Sequence, residues 1–260
     1  MQPQEIIKHF AEEKLSGDLT GLEGYCFSEL NGTGYGKCSG MSGFDCDNTL
    51  LANAIYVSLW GGEGNIFPEL TMENVGRGKP FRGDTMNSFG TVLGRYDSTI
   101  GLWTRYGIGE KVEMFFRKYH TIGNFIVLPN RTAPGTDTLN MYRGRTWSDF
   151  FDRFLIELDK VLAGREDKDA GLDACIVCNR SAFHGMRMSK FSDALFLRDY
   201  MNEANTAPQP LFAPRSMGNK FKRDIHDAAY RGFASFYMEK ATEIISHRAK
   251  AICRKLSYIL

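Results

Sequence analysis

The stretch from Asp224 to Leu256 reads DIHDAAYRGFASFYMEKATEIISHRAKAICRKL. Within it Ile225, Ala229, Phe233, Phe236, Ile244, Ile245, Ile252 and Leu256 recur near the 3.6-residue period of an α-helix. That predicts one helix of about 30 residues, long for a globular protein, with Gly232 as the point where it can bend. A second amphipathic run, Phe150 to Leu162 (FFDRFLIELDKVL), puts Phe150, Phe151, Phe154, Leu155, Leu158, Val161 and Leu162 on one stripe. Gly164 follows as its C′ residue, and Thr146 with Asp149 makes a variant capping box before it.

Working outward, more helical faces emerge. Ile6, Ile7, Phe10, Ala11 and Leu15 share one, ended by Gly17. Leu50, Leu51, Ala54, Ile55 and Leu59 share another, with Asp47 or Asn48 as its N-cap. Val112, Phe115, Phe116 and Tyr119 predict a helix over 110–119, and Phe191, Leu195 and Tyr200 one over 191–204. Asp84 is placed to cap a short helix carrying Met86, Phe89 and Leu93.

Strand signals are few: Phe125-Ile126-Val127-Leu128 before Pro129, a short run at Tyr25–Phe27, and the apolar segment 172–178. Residues 130–145 and the prolines at 208, 210 and 214 read as loops, and 98–108 reads equally as strand or turn. No repeat and no alternation of strand and helix is present. The expected fold is α+β, predominantly α-helical with a few short strands. It is expected to form a single compact domain over 1–260, with the charged loop Arg165–Asp169 as the place where 1–164 and 170–260 would divide.

The 260 residues carry 32 Lys+Arg against 31 Asp+Glu, are 43% hydrophobic and 24% charged. These values exclude disorder as the main state. A net charge of +1 argues against coating nucleic acid, though a local basic groove is still allowed. No apolar run approaches the roughly 20 residues of a membrane span, and no partnership with a membrane is expected. The start, MQPQEIIKHFAEEK, has no apolar core of a secretory signal. Six cysteines without an export signal are expected as reduced thiols in a cytoplasm.

Gly32-Thr33-Gly34-Tyr35-Gly36 fails the dinucleotide-binding test, because Lys37 stands at the third glycine position and the next helix begins too far downstream. Cys175 and Cys178 form a C-x-x-C pair, with Cys26, Cys38 and Cys46 in the glycine-rich loop. A zinc site is disfavoured: there is no second pair, and strand alternation would send Cys175 and Cys178 to opposite faces. No metal ligand set is expected, and no cofactor is indicated.

The region 82–145 is the most informative. Asp84, Asn87, His120, Asn124, Arg143 and Arg145 are polar groups of fixed geometry set among core aromatics. A buried polar group left unpaired costs roughly 1–3 kcal/mol, so these must find partners. As a site, His120 would be general acid/base because its free pKa lies near neutrality, and Asp84 would orient it. Asn87 and Asn124 would bind ligand, and Arg143 and Arg145 on a loop would hold an anion bidentately. The same residues also allow a plainer reading, in which Arg143 pairs with Asp84 or Asp149 as an internal clasp.

The strings GDTMNSF at 83–89, YHTIGNFIVLPN at 119–130, TLNMYRG at 138–144 and DFFDRFL at 149–155 resemble a family of uncharacterised bacterial proteins with a domain-of-unknown-function label. Its pattern is YHTIGNF, then LPN, then LN-x-x-RG. The resemblance spans roughly residues 60–160. It implies a bacterial cytosolic origin and carries no assigned reaction or catalytic residue.

Two functions are expected from the sequence. One is an enzyme or ligand-binding protein for a phosphate-bearing small molecule or nucleic acid. The other is a non-catalytic interaction module of defence or toxin–antitoxin type. In the second, the C-terminal helix with Arg248, Lys250, Arg254 and Lys255 would be the surface for a protein partner.

Overall fold

The computed structural model describes residues 2–38, 43–89, 96–147, 150–212 and 224–260, with the backbone alone at 96–99. It is predominantly helical, with one two-stranded sheet among the described residues. Helix α1 spans Pro3–Lys14 and α2 Leu50–Trp60; strand β1 is Phe81–Thr85. Helices α3 (Tyr96–Arg105) and α4 (Gly109–Tyr119) lead into strand β2 (Phe125–Pro129). Then come α5 (Leu139–Trp147), α6 (Phe151–Leu162), α7 (Ala170–Cys178), α8 (Arg180–Phe183), α9 (Met188–Ala194) and the long α10 (Ala228–Ile259). Among the described residues, no helix is long and apolar enough to cross a membrane.

Helix α10 runs 32 residues and is capped by Asp227, whose carboxylate accepts the Ala229 N–H. Tyr230, Ala234, Tyr237, Met238, Ala241, Ile244, Ile245, Ala249, Ile252, Cys253 and Leu256 are buried along it. The stripe differs from the sequence pattern at Ala229 and Phe236, which are exposed, while Tyr237 is enclosed. The helix passes through Gly232 without a break. It packs on α4, on α2 and on the short turns Leu19–Glu23 and Ile122–Asn124. One face of this helix is therefore part of the core, so removing 224–260 would open the core, while Lys250, Arg254 and Lys255 lie on its exposed face.

Arg248 does not belong to that exposed face. Its side chain is buried and serves the interior. Nε donates to the Leu195 carbonyl at 2.9 Å, and Nη1 to those of Gly123 at 3.0 Å, Ile122 at 3.4 Å and Phe125. The guanidinium lies 5.7 Å from the Trp60 ring centroid. Burial pulls its pKa down to about 10. Beside it, a Cβ on Gly123 would land on the Ile245 carbonyl oxygen and within 2.9 Å of the Ala249 Cβ. The helix backbone thus sits directly on the turn that begins β2.

β2 is wholly buried, as its unbroken apolar run predicts, and pairs antiparallel with β1 from Phe81↔Pro129 to Thr85↔Phe125. This corrects the reading of Asp84 as a helix cap. A buried strand must have its backbone groups paired, and 81–85 supply the partners. Gly83 suits that role, since a Cβ there would collide with the Asp47 carbonyl and the Tyr56 ring.

Other boundaries also move. Residues 172–178 are helix, not strand, because a short apolar run is ambiguous and the Asp169 carboxylate caps the Leu172 N–H at 2.8 Å. Cys175 and Cys178 therefore stand one turn apart on a helix. The loop expected over 130–145 ends at Leu139, where α5 begins. Thr49, not Asp47 or Asn48, caps α2. Tyr25–Phe27 is no strand; Phe27–Leu30 is a 3-10 turn. Residues 96–105 are helix, and the helix expected over 191–204 ends at Ala194. Leu93, Asp149 and Pro214 lie outside the described residues. The hydrophobic core runs continuously from Ile6 to Leu256, and α6 packs on α7 across the Arg165–Asp169 loop.

Gly123→Ala should overpack this junction and cost about 1–3 kcal/mol. Arg248→Lys, which keeps the charge but not the fork of donors, should cost a similar amount. Urea denaturation measures both; an unchanged midpoint in either variant would show that the junction does not hold the fold.

Candidate functional site

The second face of β1 organises the polar residues. Successive strand residues point to opposite sides. Arg82 and Asp84 share one side, while Gly83 and Thr85 face the 3-10 turn Cys46–Asn48. Asn48 fastens that turn to the strand edge. Its Oδ1 accepts the Gly83 N–H at 3.0 Å, and its Nδ2 reaches the Gly83 carbonyl at 3.2 Å. The same Nδ2 lies 3.0 Å from the Asp45 carboxylate and 2.8 Å from that of Asp47. Thr85 Oγ1 donates to the other Asp47 oxygen at 3.2 Å, and the Tyr56 hydroxyl to the Asp47 carbonyl at 2.8 Å. Arg82 approaches Asp45 at 3.7 Å.

Asp47 is buried next to another carboxyl. Burial raises its pKa well above the ordinary carboxylate value; Asp45, as hydrogen-bonding neighbour and like charge, adds to this, as does Asp84, against a smaller opposing effect of Thr85. Tyr119, beside Thr85, has its phenol pushed up to about 12, chiefly by burial.

On the other side stands Arg143. It is on helix α5, not on a loop, and its side chain is 3% exposed against 29% for Asp84. Nη2 pairs with the Asp84 carboxylate and donates to the Thr85 carbonyl at 2.9 Å. Nε and Nη1 are buried and have no hydrogen-bond partner among the described residues. The guanidinium lies 5.6 Å from the Phe151 ring centroid. Of the two clasps the sequence allows, the pair with Asp84 is present.

The remaining expected residues do not converge on this point. Asn87 and Asn124 are fully buried and satisfy each other. Asn124 Oδ1 accepts the Asn87 N–H at 2.9 Å and its Nδ2 at 3.2 Å, while Asn124 Nδ2 donates to the carbonyls of Asn87 and Tyr119, both at 2.9 Å. The Tyr200 hydroxyl occupies Asn87 Oδ1 at 2.6 Å. The pair is an internal brace because every amide donor and acceptor of Asn124 is consumed. Arg145 follows Arg143 by two positions, which on a helix turns it roughly 200° away. It is exposed, pairs with Asp137 and lies 5.7 Å from the Tyr142 ring centroid.

His120 is the C-cap residue of α4, half-buried, with its carbonyl accepting the Phe27 N–H at 2.8 Å. Its ring lies 4.6 Å from that of Tyr119. Burial lowers the imidazole pKa, and Asp45 partly offsets this. The carboxylate acting on His120 is therefore Asp45, whereas Asp84, expected to orient it, is committed to Arg143.

Asp45, Asp47, Asn48, Thr85 and Tyr119 are the residues the sequence reading passed over. The signal for the first three was the run Asp45-Cys46-Asp47-Asn48, two acids set two positions apart before an apolar helix, which reads as ordinary capping material. Among the described residues, no group of three His, Cys, Asp or Glu side chains is arranged to hold a metal ion. Compared with known proteins, the chain matches no family model, no curated protein sequence and no solved structure.

The carboxyl at Asp47 has a pH consequence. A raised pKa means the folded state holds a proton that the unfolded chain releases near pH ~3.9. Stability from Asp47 is complete below that value and is lost as pH rises through the folded pKa. His120 acts oppositely, losing stability as pH falls below the ordinary imidazole range. Asp47→Asn should therefore raise Tm by ~2–4 °C over the wild type at pH 8, the gap closing toward pH 4. Parallel melting curves across that range would show Asp47 to be ionised throughout.

Proposed function

We propose that the chain binds a phosphate-bearing small molecule beside the β1–β2 hairpin, with Arg143 as the anion anchor. The observation that carries this reading is the buried guanidinium whose Nε and Nη1 have no hydrogen-bond partner among the described residues. Burying such donors costs roughly 1–3 kcal/mol each, a cost an anionic ligand would offset by accepting from them.

Charge supports a small ligand over a nucleic-acid strand. Arg82 and Arg143 are paired with Asp45 and Asp84, and Asp47 is a further acid beside them, so the cluster offers no cationic excess. A polyanion needs an extended cationic track, and the acids here would repel it. The same reading puts the protein in a bacterial cytosol, where six free thiols are the stable form.

The test is titration calorimetry against nucleoside monophosphates and sugar phosphates, using wild type and Arg143→Lys. Lysine keeps the pairing charge for Asp84 but lacks the fork, so affinity should fall about tenfold while far-UV circular dichroism is unchanged. Wild-type affinity in Arg143→Lys, or no binding of any of these ligands by the wild type, would reject the reading.

A further inference from the structure

At the opposite end of the hairpin from Arg143, where Phe81 pairs with Pro129, the surface opens into a cavity of about 420 Å³. Lys79, Asn130, Arg131, Thr132 and Thr138 are among its lining residues. Its two loops are fixed. The Asn130 N–H donates to the Pro80 carbonyl at 2.6 Å, joining them. The buried side chain of Asn179 clamps Arg131, accepting its N–H at 2.9 Å and donating to its carbonyl at 3.0 Å.

Three features give the cavity positive character. Lys79 is half-buried, and no carboxylate among the described residues pairs with it. Arg131 is held only by an exposed pairing with Glu69 at 3.4 Å. Thr138 stands directly before the first residue of the nine-residue helix α5, whose leading N–H groups have no partners within the helix. The other neighbouring acid, Asp137, is engaged by Arg145. An independent observation marks a ligand position: Asn130 is more than nine-tenths buried, and its Oδ1 has no hydrogen-bond partner among the described residues. A buried, unpartnered acceptor on a residue that lines a cationic cavity calls for an anion that also carries a donor.

We infer that this cavity is a second anion site, taking a phosphate group that retains a P–OH. Lys79, Arg131 and the start of α5 meet the charged oxygens, and Asn130 Oδ1 accepts from the hydroxyl. The inference is independent of Arg143, since the two sites lie at opposite ends of β1. Asn140 Nδ2 bonds the Arg82 carbonyl and Arg143 the Thr85 carbonyl, so α5 runs alongside the strand from one site to the other.

Titration calorimetry of the full chain with inorganic phosphate tests it, with sulfate as the same-shaped anion lacking a donor at neutral pH. Lys79→Gln and Arg131→Gln, both surface changes, should each weaken phosphate about tenfold, and Arg143→Lys should leave this site's affinity unchanged. Phosphate should also bind more tightly than sulfate. Wild-type affinity in Lys79→Gln and Arg131→Gln would overturn the inference, as would an absence of phosphate binding in the millimolar range. Sulfate binding as tightly as phosphate would overturn the inference of a P–OH accepted by Asn130. Loss of binding in Arg143→Lys alone would assign the anion to the hairpin site instead.

Discussion

The guanidinium of Arg248 is the constraint from which the rest of the structure follows. A cation taken out of water is expensive unless its donors are used, and three of its N–H directions meet carbonyls from two separate stretches of chain. Those carbonyls belong to Leu195, at the end of α9, and to the residues that open β2. Gly123 makes the arrangement sterically available, because any side chain there would strike the backbone of α10. One side chain thereby sets where the long helix lies on the sheet. It also fixes where β2 begins and hence the register in which β1 can pair.

That register positions the polar cluster. With Thr85 opposite Phe125, Asp84 faces α5 and meets Arg143, while Gly83 and Thr85 face Asp47 and Asn48. The cluster remains tolerable in a partly buried place because its charges nearly cancel. Two arginines face two carboxylates, and the third acid is pushed toward its neutral form by burial and by its neighbours. What is left over is hydrogen-bonding capacity on Arg143, and function is most economically sought where a fold leaves a buried donor unsatisfied.

Parts of this were legible in the chain. The pairing of Arg143 with Asp84 was one of two clasps the sequence allowed, since an arginine among core aromatics must find an acid. His120 and Asn124 fall between the helix predicted over 110–119 and the strand signal at 125–128, but their partners were not visible. Asn124 is completed by Asn87 and His120 is influenced by Asp45, and both relations bridge long stretches of sequence. Arg145 looked equivalent to Arg143 only while the segment was read as loop; helical geometry separates them. Asp45 and Asp47 were missed because acids before an apolar helix are the usual composition of a helix start.

Local pattern by itself determined the long C-terminal helix, the amphipathic 151–162 helix and the buried FIVL strand, because hydrophobic period and length act within one segment. It also determined the helix-rich class, since short strands without alternation leave few other ways to cover the apolar faces. Only the tertiary structure decided that 81–85 is a strand, that 170–178 is a helix and that Arg248 faces inward. Each of those outcomes is set by a partner distant in sequence or by a single cap: a buried strand lacking a neighbour, one aspartate ahead of an ambiguous apolar run, and a set of carbonyls that only a charged fork could reach.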